Sequence, residues 1–153
     1  MGTLAFRAAT PTDVPSLMEL ASRMAGFELP PWRTPDEVIA ADGQAMVSAV
    51  MAADPDSEVF IAERDGVTAG CLHMVVAADF FGRRHAHVSV IATSADAEGS
   101  GVGRALMAFA EDWTRGRQLP LITLNVFAGN TRARRLYERA GFDVEFLKYA
   151  KRV

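Results

Sequence analysis

Cysteine is nearly absent from this sequence, with Cys71 the only one among 153 residues. An intramolecular disulfide is therefore excluded. Apolar residues surround Cys71, and this setting predicts a buried, reduced thiol. Both observations are typical of a cytoplasmic protein.

Excess positive charge and long apolar runs are also missing. The formal net charge is −3, whereas a nucleic-acid-binding domain normally carries a basic field, so nucleic acid is not an expected partner. No apolar run approaches the length that spans a membrane, and the first residues lack the basic and then apolar pattern of an export signal. We therefore expect neither export nor membrane insertion.

Half of the residues are hydrophobic, enough for one domain over residues 1–153 to bury a sizeable core. Hydrophobic periodicity and turn residues predict an α/β (α+β) mixed sheet, an antiparallel meander followed by a βαβ unit, with helices on both faces. The predicted strands are 4–8, 58–63, 67–78, 85–93, 121–127 and a final strand or hairpin arm at 142–151. The predicted helices are 12–25, 34–53, 102–115 and 131–140, with an interruption near Gly43 left open.

A glycine-punctuated turn, residues 98–104, links a predicted strand to a predicted helix. Glycines allow successive backbone N–H groups to converge, and the helix adds its unpaired amides and positive dipole end, so the turn can hold a phosphate or diphosphate. A nucleoside-triphosphate P-loop would need lysine where Arg104 follows Gly103. A dinucleotide turn would need a different glycine spacing and an acidic residue ending the next strand, and neither is present.

A second motif follows about 25 residues later: Asn130, then Leu136-Tyr137 and Gly141-Phe142. The two motifs in this order resemble the signatures of the GNAT superfamily of acetyl-coenzyme A-dependent N-acetyltransferases. The resemblance implies a GNAT-like fold in which the two parallel strands splay apart. It also implies acetyl transfer from acetyl-CoA to a primary amine by direct attack in a ternary complex.

The resemblance assigns most of the predicted cofactor contacts. The strand end Ile91-Ala92-Thr93 is expected to pair its backbone with the pantetheine arm, with the Ala92 amide facing the acetyl oxygen. The turn is expected to hold the diphosphate, and the second motif to contact the rest of the cofactor; these residues are Glu98, Gly99, Ser100, Gly101, Val102, Gly103, Arg104, Asn130, Ala133 and Tyr137. Asn130 also suits a helix N-cap, and the two roles are compatible.

Glu98 departs from the family pattern, which has glutamine or arginine at this position. A carboxylate facing a diphosphate through solvent would cost on the order of 1 kcal/mol. We therefore expect Glu98 to turn away from the phosphates, backbone amides to do most of the binding, and Arg104 to supply counter-charge.

Tyr137 is the predicted catalytic acid, because the resemblance directs its hydroxyl at the sulfur; packing in the core is the alternative. A histidine titrating near 6.5 suits removal of a proton from the acceptor ammonium. Strand alternation places His85, His87, Ser89 and Ile91 on one face, with Val88 and Val90 on the core face. We expect His87 to be the base, with His85 second and Ser89 holding water, and surface histidines without a task as the alternative. His73 is expected to be structural.

The acceptor is predicted to contact the irregular segments 27–33 and 80–84, through Phe27, Trp32, Phe80 and Phe81; packing beneath a loop is the alternative. The histidines and Cys71 lack a recognisable metal-ligand spacing, so no metal is expected. The acceptor is a small-molecule or peptide amine that the sequence does not identify, and a homodimer is left open. Two rival hypotheses are a non-catalytic acyl-CoA-binding module and transfer of another acyl group.

Overall fold

Five strands form one sheet in the order in which they occur along the chain. A computed structural model describes residues 2–153. The strands are β1 (Leu4–Ala8), β2 (Ser57–Arg64), β3 (Val67–Ala78), β4 (Arg84–Thr93) and β5 (Ile122–Leu124). Neighbouring strands are antiparallel from β1 to β4, and β4 and β5 are parallel. The predicted meander followed by a βαβ unit is therefore confirmed.

Four α-helices cover the two faces of this sheet. They are α1 (Val14–Ala21), flanked by short 3₁₀ turns at Pro11–Asp13 and Ser22–Ala25, α2 (Pro35–Ala52), α3 (Val102–Gly116) and α4 (Thr131–Arg139). Helix α2 passes Gly43 without interruption. A Cβ at Gly43 would lie 2.8 Å from the Met18 side chain, so this glycine allows α1 and α2 to pack closely. None of the helices among residues 2–153 is long and apolar enough to cross a membrane.

Two apolar clusters lie on opposite faces of the sheet. The cluster on the α3 side includes Leu72, Met74 and Leu106, and the cluster on the α1–α2 side includes Leu17, Met46 and Ile61. The sheet is therefore covered on both faces. Cys71 is fully buried in the second cluster, as the sequence predicts.

Strand β4 contains a β-bulge at Ser89. On β3, His73 and Met74 are consecutive, but their partners on β4 are Val90 and Val88, so Ser89 is the extra residue. An extra residue reverses the alternation of side chains beyond it. Ala86 and Val88 consequently pack on the α3 side, whereas Val90 and Ala92 pack on the α1–α2 side. The prediction of one common face from His85 to Ile91 is wrong for this reason, because Ile91 packs against the α3-side cluster.

Strand β5 is shorter than predicted, because it covers only Ile122–Leu124 of the expected residues 121–127. Its pairing with β4 ends at Val88 and Leu124. Beyond this point β4 continues to Thr93 while β5 has ended, so the predicted splay of the parallel strands is confirmed. Among residues 2–153, the second half of β4 consequently has a strand neighbour on the β3 side only.

The segment 142–151 is not the predicted strand or hairpin arm. Its backbone has no regular secondary structure, and its apolar side chains are exposed, with Phe146 at 67% and Tyr149 at 87%. The alternation of apolar and charged residues there fits a strand, but a strand also needs a hydrogen-bonded neighbour. No described strand pairs with this segment.

Candidate active site

The candidate site is a cavity of about 290 Å³ at the point where β5 leaves β4. The sheet, helices α2 and α4 and the segment following β5 all contribute to its walls. The lining residues are Met24, Phe27, Val38, Asp42, His87, Val88, Ser89, Asn125, Val126, Phe127, Asn130 and Tyr137. Aromatic and aliphatic walls with a few polar groups are typical of a small-molecule site.

His87 enters this cavity from β4 as a half-buried side chain. Its Nδ1 lies 2.8 Å from the hydroxyl of Thr123, its partner in the parallel β4–β5 register. The Thr123 hydroxyl also lies 3.5 Å from the Ala86 carbonyl, too far for that contact to fix its proton. In the tautomer whose Nδ1–H donates to Thr123, Nε2 is the basic atom. Burial, with a further contribution from His85, lowers the pKa of His87 and favours the neutral imidazole at pH 7.

Tyr137, on α4, also lines this cavity. The residue is 9% exposed and its ring packs edge-on against Phe142, with centroids 6.1 Å apart. Burial raises the pKa of its hydroxyl to about 12, so the group carries its proton at neutral pH. The cavity thus brings together His87 on β4 and Tyr137 on α4, and their roles as base and acid stay predictions.

Asn130 positions the start of α4. Its Oδ1 accepts a hydrogen bond from the Ala133 amide at 3.3 Å, so it is the N-cap of this helix. The same residue lines the cavity. The N-cap interaction therefore fixes Asn130 at the cavity wall, and its role toward the cofactor stays a prediction.

The glycine turn has the geometry of an anion cradle. Gly99 and Gly101 have φ values of 76° and 85°, a region that other residues rarely adopt. A Cβ at either glycine would meet no atom within 4 Å. The Ala105 amide is the first in α3 to find a helical carbonyl, that of Gly101 at 3.1 Å. The preceding amides of α3 are therefore available to a ligand.

Gly103 has a different task from the other two glycines. A Cβ there would lie 3.3 Å from the Leu136 side chain. The small residue allows the first turn of α3 to lie close to α4. This contact joins the turn to the helix that carries Tyr137.

Glu98 forms ion pairs with Arg23, next to α1, and with Arg132, in the first turn of α4. Two arginines therefore surround the carboxylate and outweigh its charge. Arg104, the expected counter-charge, is exposed and makes no ion pair with any residue in the range 2–153. Arg23 also donates to the Thr93 carbonyl at 3.3 Å.

The backbone of the second half of β4 presents alternate groups to its open side. The Ser94 amide donates to the Ala69 carbonyl at 2.9 Å, so by alternation Ala92 directs its N–H and C=O toward β3. Ile91 and Thr93 direct theirs away from β3, to the side that β5 has left. The expectation that the Ala92 amide faces the acetyl oxygen is therefore wrong, and the bulge at Ser89 is the reason.

A family model described as the acetyltransferase (GNAT) family matches residues 16–142, most of the chain. The chain belongs to this GNAT family. It is 37% identical over 100 residues to a mycothiol acetyltransferase of Acidothermus cellulolyticus, a match that covers 58% of this chain and 30% of that protein. The chain thus spans about three-tenths of the length of the curated relatives it matches.

Solved structures share the fold of this GNAT domain. PaiA N-acetyltransferase from Thermoplasma acidophilum, solved in complex with coenzyme A, has a TM-score of 0.78 at 17% identity, with 95% of this chain and 93% of that chain covered. A ribosomal-protein-alanine N-acetyltransferase from Brucella melitensis biovar Abortus 2308 has a TM-score of 0.72 at 19% identity, with 99% of each chain covered. These likenesses show the GNAT fold.

The GNAT domain brings together only part of the residue set predicted from sequence. His87, Ser89, Asn130, Tyr137 and Phe27 all line the cavity, with Phe27 packed against Phe127 at 5.9 Å between ring centroids. The lining does not include His85, at the start of β4, or Trp32.

Phe80 and Phe81 also lie outside the cavity. They are 100% and 81% exposed at the tip of the β3–β4 connection, and Arg83 lies over the Phe81 ring at 5.8 Å. Their predicted contact with the acceptor stays a prediction.

Two polar residues of the GNAT domain were missed by sequence reasoning. Thr123 is a lone hydroxyl within an apolar strand, and that polarity was its signal. Asp42 lies one helical turn from Val38 and one from the buried Met46, so it is an acidic residue on the inward face of α2. His73, by contrast, is buried as expected, with its Nε2 2.9 Å from the Ser57 hydroxyl, and burial lowers its pKa to about 4.

Proposed function

We propose that this GNAT domain transfers an acetyl group from acetyl-CoA to a primary amine by direct attack in a ternary complex. One observation carries the proposal: His87 and Tyr137 line the same cavity, and burial lowers the pKa of His87 and raises that of Tyr137. A neutral imidazole such as that of His87 can remove a proton from an ammonium. A protonated hydroxyl such as that of Tyr137 can protonate a leaving thiolate.

The chain has groups that suit both ends of coenzyme A. The amides at the start of α3 and the open conformations of Gly99 and Gly101 suit the diphosphate. The outward backbone groups of Ile91 and Thr93 suit the amides of the pantetheine arm, which would take the place that β5 leaves vacant. An amide on this open side, rather than that of Ala92, would then stabilise the developing charge on the acetyl oxygen.

The proposed reaction exchanges one C–S bond for one C–N bond. His87 Nε2 accepts a proton from the acceptor ammonium, and the resulting neutral nitrogen attacks the acetyl carbon. As the carbon–sulfur bond breaks, the Tyr137 hydroxyl donates its proton to the sulfur. The nitrogen of the new C–N bond loses its second proton, which restores the Tyr137 hydroxyl through solvent. The proton on His87 is then released to solvent, so one proton leaves per turnover and the enzyme ends in its starting state.

Release of free CoA thiol, measured with acetyl-CoA and a panel of amines, tests this proposal. We expect release that depends on both acetyl-CoA and an amine, together with a matching acetylated product by mass spectrometry. Acetyl-CoA binding without release under any acceptor would favour a non-catalytic binding module instead. Faster release from a longer acyl-CoA in direct competition would favour transfer of another acyl group.

The relatives named mycothiol acetyltransferases do not decide the acceptor, since the match spans three-tenths of their length. We propose a small-molecule or peptide amine in the cytoplasm, with neither nucleic acid nor membrane as partner; the net charge of −3 supports the absence of nucleic acid. Light scattering of the purified chain would decide between monomer and homodimer.

A further inference from the structure

Among the described residues that line the cavity, Asp42 is the only carboxylic acid, and none is a lysine or arginine. The other lining side chains are apolar, amide, hydroxyl or imidazole groups, and burial keeps the His87 imidazole neutral. Asp42 lies well past the first turn of α2, where a carboxylate no longer compensates the unpaired amides of a helix. Helix capping therefore does not explain its presence.

The Asp42 carboxylate has no charged or hydrogen-bonding partner within residues 2–153. The ion pairs of α2 are confined to Glu37, near its start, and the neighbours of Asp42 on the inward face are Val38 and Met46. Burial raises its pKa, which records the cost of removing a carboxylate from water. Asp42 is half-buried, and a carboxylate held partly away from water is stabilised by a nearby positive charge. No ion pair of Asp42 is found among residues 2–153.

A positively charged group on the acceptor would compensate this carboxylate. The nitrogen that reacts must lose its proton, and a nearby carboxylate would oppose that loss by stabilising the ammonium form. Asp42 is therefore better suited to a nitrogen that keeps its proton. Thr123, not a carboxylate, holds the His87 ring, which leaves the Asp42 charge free for a second group on the substrate.

We propose that Asp42 is a specificity-determining residue that binds a second positive charge on the acceptor, so that the preferred substrates are small diamines or similar dications. This inference rests on the proposed function and names the substrate class of the same site. A cavity of about 290 Å³ corresponds to about ten water volumes, which matches a short diamine. In this binding mode one nitrogen lies beside His87 and the other beside α2.

Matched amines of equal chain length test the proposal. The wild-type chain is assayed by CoA release with 1,3-diaminopropane, 1,4-diaminobutane and 1,5-diaminopentane, each against the monoamine of the same length. We expect kcat/KM for the best diamine to exceed that of its monoamine at least tenfold. In Asp42→Asn this ratio should fall to about one, mainly through a higher KM for the diamine.

Asp36→Asn is the matched control, because Asp36 is an exposed aspartate on the same helix. It removes the same charge and should keep the wild-type ratio. Thermal unfolding of both variants checks that they fold, and Asp42→Asn should be no less stable than the wild-type chain because it removes an unpaired charge. A ratio near one in the wild-type chain, or an unchanged ratio in Asp42→Asn, would overturn the inference.

The two proposals fail in different ways. Turnover of amines without a preference for diamines would remove the role of Asp42 and leave the acetyltransferase proposal intact. If no amine is acetylated, calorimetric titration with the same diamines still decides the question. Binding that Asp42→Asn weakens at least tenfold would support the charge site, and equal or absent binding in both proteins would overturn it.

Discussion

The two halves of β4 have the same neighbour on one side and different surroundings on the other. Residues 84–88 pair with β3 and lead into the parallel ladder with β5, whereas residues 90–93 pair, among the described strands, with β3 alone. The bulge at Ser89 separates the halves and reverses which face each side chain occupies. The first half therefore completes the sheet and positions His87. The second half directs the backbone groups of Ile91 and Thr93 to its open side, where Arg23 already donates to the Thr93 carbonyl, and the candidate site lies beside this open side.

The largest expected effect comes from removing the proposed proton donor, the hydroxyl of Tyr137. Tyr137→Phe should lower kcat by about 100-fold, because general acid catalysis typically contributes 100-fold or more. Its dissociation constant for acetyl-CoA should change less than about twofold. Steady-state kinetics and calorimetry measure the two quantities.

Tyr149→Phe is the matched control, since Tyr149 is the other tyrosine of the chain and is 87% exposed. It should behave as wild type. A Tyr137→Phe enzyme with wild-type turnover would assign Tyr137 to core packing alone.

The next largest effect concerns the first half of β4. His87→Gln should lower kcat/KM by about 10- to 100-fold. The lowered pKa of His87 means that its neutral, competent form persists to more acidic pH than an ordinary histidine near 6.5. The wild-type rate should therefore rise with pH below about 6.5, and the variant should lose this limb. If the wild-type enzyme and His87→Gln showed the same rise of rate with pH, His87 would be excluded as the base. His85→Gln serves as the control variant.

Thr123 is expected to affect the rate only through its contact with His87. Changing it should therefore have a smaller effect on kcat than changing His87 itself. Thr123→Val removes the hydroxyl that lies 2.8 Å from His87 Nδ1 and should lower kcat by about tenfold while moving the acidic limb of the pH profile. Thr123→Ser keeps a hydroxyl and should restore both. A loss of rate without any change in the pH profile would point to a packing role for this residue.

The smallest expected effect concerns Glu98, in the turn that follows the second half of β4. Glu98 is already paired with Arg23 and Arg132, and exposed pairs of this kind are worth about 0–1 kcal/mol. Glu98→Gln should therefore change the affinity for acetyl-CoA by less than about threefold in calorimetric titration. A large gain in affinity would mean that the carboxylate repels the diphosphate in the wild-type protein.

Local signals in the sequence predict most of the fold and about half of the lining. The glycine turn, the N-cap Asn130 and the apolar periodicity of α3 are local, so they can be recognised without tertiary information. The bulge at Ser89 cannot be recognised from the sequence alone. Strict alternation and alternation with one extra residue look alike in a run of apolar and polar side chains. The position of Asp42 depends on how α2 crosses the sheet, which only the tertiary packing determines.

The failed prediction for residues 142–151 has a similar cause. Alternation there indicates a strand, but a strand forms only with a hydrogen-bonded neighbour, and the sequence of one segment does not say whether one is present. The aromatic residues Phe80 and Phe81 show the same limit for the site. Their chemistry suits a cation, but the β3–β4 connection holds them away from the cavity.

The single extra residue at Ser89 also makes β4 sensitive to changes in length. Deleting one residue from the middle of this strand would restore uniform alternation and turn Val90 and Ala92 out of the core beneath α1 and α2. It would also exchange the outward and inward amides of Ile91 and Ala92. Insertions and deletions should therefore be tolerated at the exposed tip near Phe80 and rejected in the strand that follows it.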